Sequence, residues 1–167
     1  MFQTYDHDPG TPIAERQAWM ALLARAPVRL LDEALADHQA TPQWLRQPET
    51  GLMMVQGRAG GTGERFNLGE ITVTRCALRL NSLHLNAPVG VAYVLGRNHR
   101  QAQLAAVADA LLQDPTQRDT LAVSLLAPLR QHLQHMQAQR HQRAQTTKVD
   151  FMTVAREAAG PQDEDAE

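Results

Sequence analysis

The chain has 167 residues, 43% of them hydrophobic, and a formal charge of −2. That length suits one domain burying roughly 68–70% of its unfolded surface without metal or disulfide support, and bulk charge this close to neutral points to neither nucleic acid nor a membrane. Aromatic residues make up only 4%, too few for the stacking platforms of single-strand binders, and a single cysteine, Cys76, excludes an internal disulfide.

Residues 1–10 are polar and patternless and are expected to be a disordered extension. There is no basic segment followed by an apolar core of signal-peptide type, and no apolar run long enough to span a bilayer, so the cytoplasm is the expected compartment. Thr11-Pro12 reads as N-cap and first position of a helix carrying Trp19, Met20, Leu22 and Leu23. That helix is expected to end near Ala26-Pro27, because the residue before proline avoids the helical region. A second helix over Val28 to His38 places Leu30, Leu31, Ala34 and Leu35 on one stripe, giving a helical hairpin. Thr41-Pro42 and Gln47-Pro48 then punctuate a linker.

Strands are expected at about Gly51 to Gly57, Leu68 to Leu80 and Pro88 to Leu95, forming an antiparallel meander of about three or four strands. The connections are a glycine-rich loop and the segment Asn81-Ser-Leu-His-Leu-Asn86. Asn98 fits the cap of the next helix, with Gln101 completing a capping box, and Leu104, Val107, Ala108, Leu111 and Leu112 recur at helical spacing up to Asp114-Pro115. A last helical stretch carries Leu121, Leu125, Leu129, Leu133 and Met136, where Pro128 either kinks the helix or starts a new one after Ala127. Residues 158–167 read as a disordered acidic tail. Helices, then sheet, then helices define an α+β fold, with one domain over residues 11–157.

The stretch GRAGGTGERFNLGE, Gly57 to Glu70, holds five of the ten glycines. A Walker loop needs Gly-Lys-Ser/Thr opening a helix, and here Glu64 and Arg65 follow Gly63. A dinucleotide fingerprint needs a helix after the glycines, but the β-branched run Ile71-Thr-Val-Thr follows, so the loop joins strand to strand. Gly60, Gly61 and Gly63, with Thr62 between them, can adopt positive φ and aim backbone N–H groups at an anion, while Arg58 and Arg65 supply charge. The same features build a plain hairpin, which is the favoured reading. Glu70 suits either a general-acid or ligand role or a solvated strand end.

On the middle strand Ile71, Val73, Arg75, Ala77 and Arg79 share one face, with Thr72, Thr74, Cys76, Leu78 and Leu80 on the other. Two arginines on an apolar face need partners, which leaves three choices: a carboxylate of this chain, another subunit or a phosphate. Cys76 has no local base and fits a small buried hydrophobe better than a nucleophile. His132 and His135 share a helix face, but no carboxylate or cysteine lies near them in the segment, so a solvated Gln/His-rich face is preferred over a metal site.

More specific than these patterns are the segments Pro48-Glu-Thr-Gly-Leu-Met-Met-Val-Gln-Gly-Arg-Ala-Gly-Gly-Thr-Gly63, Phe66-Asn-Leu-Gly-Glu-Ile-Thr-Val-Thr-Arg-Cys-Ala77, Ala92-Tyr-Val-Leu-Gly-Arg97 and Lys148-Val-Asp-Phe151. Together they resemble PhnG, a subunit of the bacterial carbon-phosphorus lyase core complex, from the Arg16-Gln-Ala-Trp-Met20 helix to Phe151. Met152 stands where a second aromatic is expected, and the ends before Ile13 and after Glu157 fall outside the pattern.

The resemblance implies a stoichiometric complex with PhnH, PhnI and PhnJ subunits and an ATP-binding-cassette-like partner. In that complex a phosphonate attacks ribose C1′ of MgATP, adenine leaves, and a ribose 1-phosphonate 5-triphosphate forms. It implies that MgATP is a substrate of the complex, with no cofactor or metal held by this chain alone and no catalytic residue assigned to it. Polyphosphate charge would need donors, and Arg58, Arg65, Arg75 and Arg97 are available. Left-over apolar sheet surface is expected to be buried against the I subunit or a second copy of the chain. A self-sufficient nucleotide-binding regulator and a purely structural adaptor are the alternative functions.

Overall fold

The computed structural model describes residues 12–38, 41–80 and 87–146. Helices α1 (Pro12–Leu23) and α2 (Val28–Leu35) precede the strands β1 (Pro42–Arg58), β2 (Arg65–Leu80) and β3 (Gly90–Leu95), and α3 (His99–Leu112), α4 (Pro115–Leu121) and α5 (Ala127–Thr146) follow. The strands form one antiparallel sheet in the order β1-β2-β3, so the expected α+β meander is present with three strands. The N-terminal extension, the Thr11 cap, the 81–86 connection, the Lys148 to Phe151 segment and the acidic tail lie outside the described residues.

Helix α3 organises the core. It touches all three strands as well as α1, α2 and α4, and its Ala102, Ala105, Ala106, Ala108 and Ala110 are all buried. Small side chains let the helix backbone lie close to the sheet, and Gly90 of β3 marks the closest approach, since a Cβ there would collide with the Ala106 carbonyl. The sheet contributes Cys76, Leu78, Leu80, Ala92 and Val94 from one face, and α1 and α2 add Trp19, Leu23, Leu31 and Leu35.

One acid interrupts this apolar surface. Asp109 of α3 is fully buried, and burying a charge is costly unless it is paired and hydrogen-bonded. Here the carboxylate accepts from Arg16 Nε at 3.2 Å and Arg16 Nη2 at 2.7 Å, and from Trp19 Nε1 at 2.9 Å. The backbone N–H of Val91 donates at 2.9 Å and Gln113 Nε2 at 3.3 Å. Arg16 Nη2 and Gln113 Nε2 also both reach the carbonyl of Val89. The network therefore ties α1, the entry to β3 and α3 at one point.

Two local expectations need correction, and at Pro128 the second of the two alternatives, a new helix, is the one observed. The linker expected at residues 41–48 is instead the first half of β1, which pairs Pro42 with Leu80 and Trp44 with Leu78. Register shifts between Trp44 and Arg46 and between Arg46 and Glu49 leave Gln47 and Pro48 out of the ladder, so the missing proline N–H costs no hydrogen bond. Asn98 caps α3 by accepting from Gln101 N at 3.0 Å, but the capping box is only half made, because the Gln101 side chain donates to the Ala24 carbonyl instead. At Pro128 a π turn over Ala122–Leu126 joins α4 to α5. The wide turn places the proline in the first turn of a new helix, where a missing donor is tolerated.

Strand β3 is short and pairs only with Val73 to Leu78 of β2. Residues 52–58 and 65–72 therefore continue beyond it as a two-stranded ribbon roughly 25 Å long. Paired residues of antiparallel strands share a face, and both faces of this ribbon carry exposed apolar side chains. Leu52 and Met54 lie on one, Met53 on the other, and Phe66 and Leu68 lie nearer the tip. Helix α3 covers one face of the sheet. On the opposite face Tyr93 and Leu95 of β3 are 46% and 67% exposed.

Replacing Asp109 by Ala should strand the Arg16 guanidinium, the Trp19 indole N–H and the Val91 amide together. The expected loss is about 3–5 kcal/mol of unfolding free energy. Urea unfolding followed by tryptophan fluorescence measures it, and a loss below about 1 kcal/mol would show that the network does not hold the core.

Candidate functional site

The hairpin tip gathers most of the residues singled out from sequence. Arg58 and Arg65 pair directly across the ribbon, and a single 3₁₀ turn over Ala59–Gly61 closes it. Gly60 and Gly61 take φ of 59° and 81°, a region that a side chain disfavours. After Thr62, Gly63 returns its N–H to the Ala59 carbonyl at 2.8 Å, and Arg58 Nη1 makes a long contact of 3.5 Å to the Gly63 carbonyl. Like charges directly opposite one another repel, yet neither arginine forms an ion pair among the described residues. The pair flanks a cavity of about 300 Å³ also lined by Gln56 and Gly57. Two unneutralised guanidiniums beside a glycine turn suit a bound anion.

The other singled-out residues are not at the tip. Glu70 lies along the ribbon opposite Met54 and is exposed. Arg75 lies about 33 Å along the strand from Arg65 and has an internal partner, so of the three choices open from sequence the carboxylate of this chain is the one observed. Its Nε donates to Glu49 Oε1 at 2.8 Å, and Arg46 Nη1 donates to the same oxygen at 2.9 Å. The Arg75 hydrogen bond, with smaller help from Arg46, holds the Glu49 carboxyl below its ordinary value. Arg97 follows Gly96, whose φ is 86° and whose N–H donates to the Thr72 carbonyl. This places Arg97 at the base of the ribbon.

Beside Arg97 is a hydrogen-bond chain that the sequence patterns do not disclose. Thr74, buried in the sheet, donates its hydroxyl to the Gly96 carbonyl at 2.7 Å. With that proton committed, the Thr50 hydroxyl must donate to Thr74 Oγ1 across 3.2 Å. Thr50 Oγ1 then accepts from His99 Nε2 at 3.0 Å, which fixes the His99 tautomer. The chain ends on a carbonyl, so His99 activates neither hydroxyl as a nucleophile.

Cys76 is 1% exposed and its thiol donates to the Ala102 carbonyl at 3.1 Å. Burial pushes its pKa up to about 11, leaving a protonated and unreactive sulfur at neutral pH. His135 and His141 of α5 each bond a glutamine one turn on. Among the described residues, no three His, Cys, Asp or Glu side chains gather as a metal set would. No described helix is long and apolar enough to cross a membrane.

Fold and site together define an α+β protein whose exposed chemistry is a cationic glycine hairpin on an apolar arm. The chain matches the family of phosphonate metabolism protein PhnG over residues 14–157. It is also 37% identical over 146 residues, 86% of this chain and 90% of the relative, to the alpha-D-ribose 1-methylphosphonate 5-triphosphate synthase subunit PhnG of Rhizobium meliloti (strain 1021). The chain belongs to the PhnG family.

Because the Cys76 thiol is buried and protonated, it should resist a thiol-reactive dye in the folded protein at pH 8 and react stoichiometrically once urea unfolds the chain. Rapid native labelling would contradict the assignment.

Proposed function

We propose that this chain is a non-autonomous subunit of a synthase that transfers the ribose triphosphate moiety of MgATP to a phosphonate. In that reaction a phosphonate oxygen bonds to ribose C1′ as the C1′–N9 bond breaks, and the adenine leaving group takes a proton. The PhnG relative, named as a subunit of such a synthase, supports this reading. So does the state of the groups described above: the Cys76 thiol is buried and the Thr74 proton is committed to a carbonyl.

The observation that carries the reading is the ribbon. A two-stranded ribbon is marginal in water by itself, and one with Leu52, Met53, Met54, Phe66 and Leu68 exposed gains stability when another protein encloses it. In this reading PhnH, PhnI and PhnJ subunits and an ATP-binding-cassette-like subunit complete the assembly in the cytoplasm, and the ribbon enters one of them. Arg58 and Arg65, with the turn Gly60-Gly61-Thr62-Gly63 between them, meet the triphosphate at the shared site. Glu70 lies along the ribbon and Arg97 at its base, while Arg75 is paired with Glu49 and is kept from the tip.

The test is coexpression with the partner subunits. Leu52→Asp combined with Leu68→Asp should abolish co-purification. Arg58→Ala combined with Arg65→Ala should leave assembly intact and lower adenine release from MgATP and methylphosphonate by about 10²-fold or more. Adenine release by the lone chain would overturn the non-autonomous reading, and full activity of the arginine variant would remove the tip from the site.

A further inference from the structure

A second surface is independent of the ribbon. Helix α5 buries only Leu129 of its twenty residues, with Leu133 partly buried against the core. Between α5 and the body formed by α1, β3 and α3 runs a groove of about 730 Å³. Its apolar floor is Leu22, Val94, Leu95, Leu133 and Met136, and its cationic side chains are Arg25, Arg130 and Arg140. Among the described residues no acidic side chain lines it. Helix α5 itself has no Asp or Glu from Ala127 to Thr146, and Arg130, Arg140 and Arg143 form no ion pair among the described residues.

The charge that would complement this groove is in the same chain. Residues 1–146 carry 14 basic and 12 acidic side chains, whereas residues 147–167 carry two basic and six acidic ones. That last segment begins with the apolar residues Val149, Phe151, Met152 and Val154 and ends with Asp163, Glu164, Asp165 and Glu167. The order matches the groove, which offers apolar contact and a cationic rim. Reach also allows it. Five extended residues beyond Thr146 span about 17 Å, while Met136 lies about 15 Å back along the helix axis from Thr146. The acidic cluster, seventeen or more residues beyond Thr146, can reach any of the three arginines.

We propose that the groove between α5 and the α1–β3–α3 body is the docking site for the chain's own C-terminal segment. Phe151 and Met152 lie on the apolar floor, and Asp163, Glu164 and Asp165 lie against Arg130 and Arg140. An intramolecular segment holds an effective concentration in the millimolar range, so the contact needs little affinity to persist.

A photo-crosslinker in place of Phe151 tests this in the full chain, both alone and coexpressed with its partner subunits. An equal mixture of light and isotopically heavy chains separates contacts within one molecule from those between copies. Adducts within one molecule at Leu22, Leu95, Leu133 or Met136 are expected, reduced at least several-fold by Arg130→Glu combined with Arg140→Glu and by high salt. Adducts only to a partner subunit, adducts only between copies, or an even scatter over the surface would each overturn the proposal. A second variant, Asp163→Asn with Glu164→Gln and Asp165→Asn, leaves the folded body untouched. It should lower the same adducts, and unchanged yields would overturn the acidic part of the contact.

Discussion

Five hydrogen bonds to one buried carboxylate hold three parts of this fold in register. Asp109 receives Arg16 and Trp19 from α1, the Val91 amide from β3 and Gln113 from just beyond its own helix. A hydrophobic contact would tolerate sliding, because apolar surfaces lack direction. A carboxylate with both oxygens committed does not. It fixes how far α1 sits along α3 and where β3 enters the sheet, and the tight approach of Gly90 to α3 depends on that position. Placing β3 also places Gly96, and with it the Thr74, Thr50 and His99 chain at the start of α3.

The position and shortness of β3 govern the surface as well. A longer third strand would have carried the sheet under the ribbon and given Met53 and Ile71 neighbours. With six residues, β3 stops at Leu95 opposite Val73, and the hairpin continues without a third strand. Extended antiparallel pairing with apolar side chains on both faces is costly to leave in water. The projecting ribbon is therefore a property of unequal strand lengths, and the glycine turn at its end sits far from the core. This separates stability, centred on Asp109, from the cationic tip, so the tip can vary without loosening the core.

Much of this was readable from residue order. Helical periodicity placed α1, α2 and α3, the β-branched run after Glu70 marked β2, and the failure of both phosphate-loop patterns identified the glycine segment as a strand-to-strand turn. What escaped was nonlocal. Two prolines made residues 42–48 look like a linker, because the bulges that accommodate Pro48 exist only against β2. Asp109 stands in the run Ala-Ala-Val-Ala-Asp-Ala-Leu-Leu, where a lone acid among apolar residues is itself a signal of a buried partner, though not of which partner. Nothing near His99 in the chain announces Thr50 or Thr74. The arginines were recognisable as needing partners, and only the register of β1 against β2 shows that Glu49 serves Arg75 while Arg58 faces Arg65.

That division of arginines shapes what a partner would meet. On the uncovered sheet face Arg75 and Arg46 share Glu49, which offsets one of their two charges; Arg79 on that face is exposed with no ion pair among the described residues, and Tyr93, Leu95 and Met53 supply the apolar surface beside them. Exposed ion pairs of this kind contribute little to stability, but they lower the cost of desolvating Arg75 and Arg46 on association. At the hairpin tip and along α5 the arginines have no ion pair among the described residues, and attraction to anionic groups survives there within a Debye length of about 8–10 Å. The folded body thus presents an apolar sheet face whose positive charge is only partly offset, between two further cationic extremities. A partner would gain area at the first and orientation at the second.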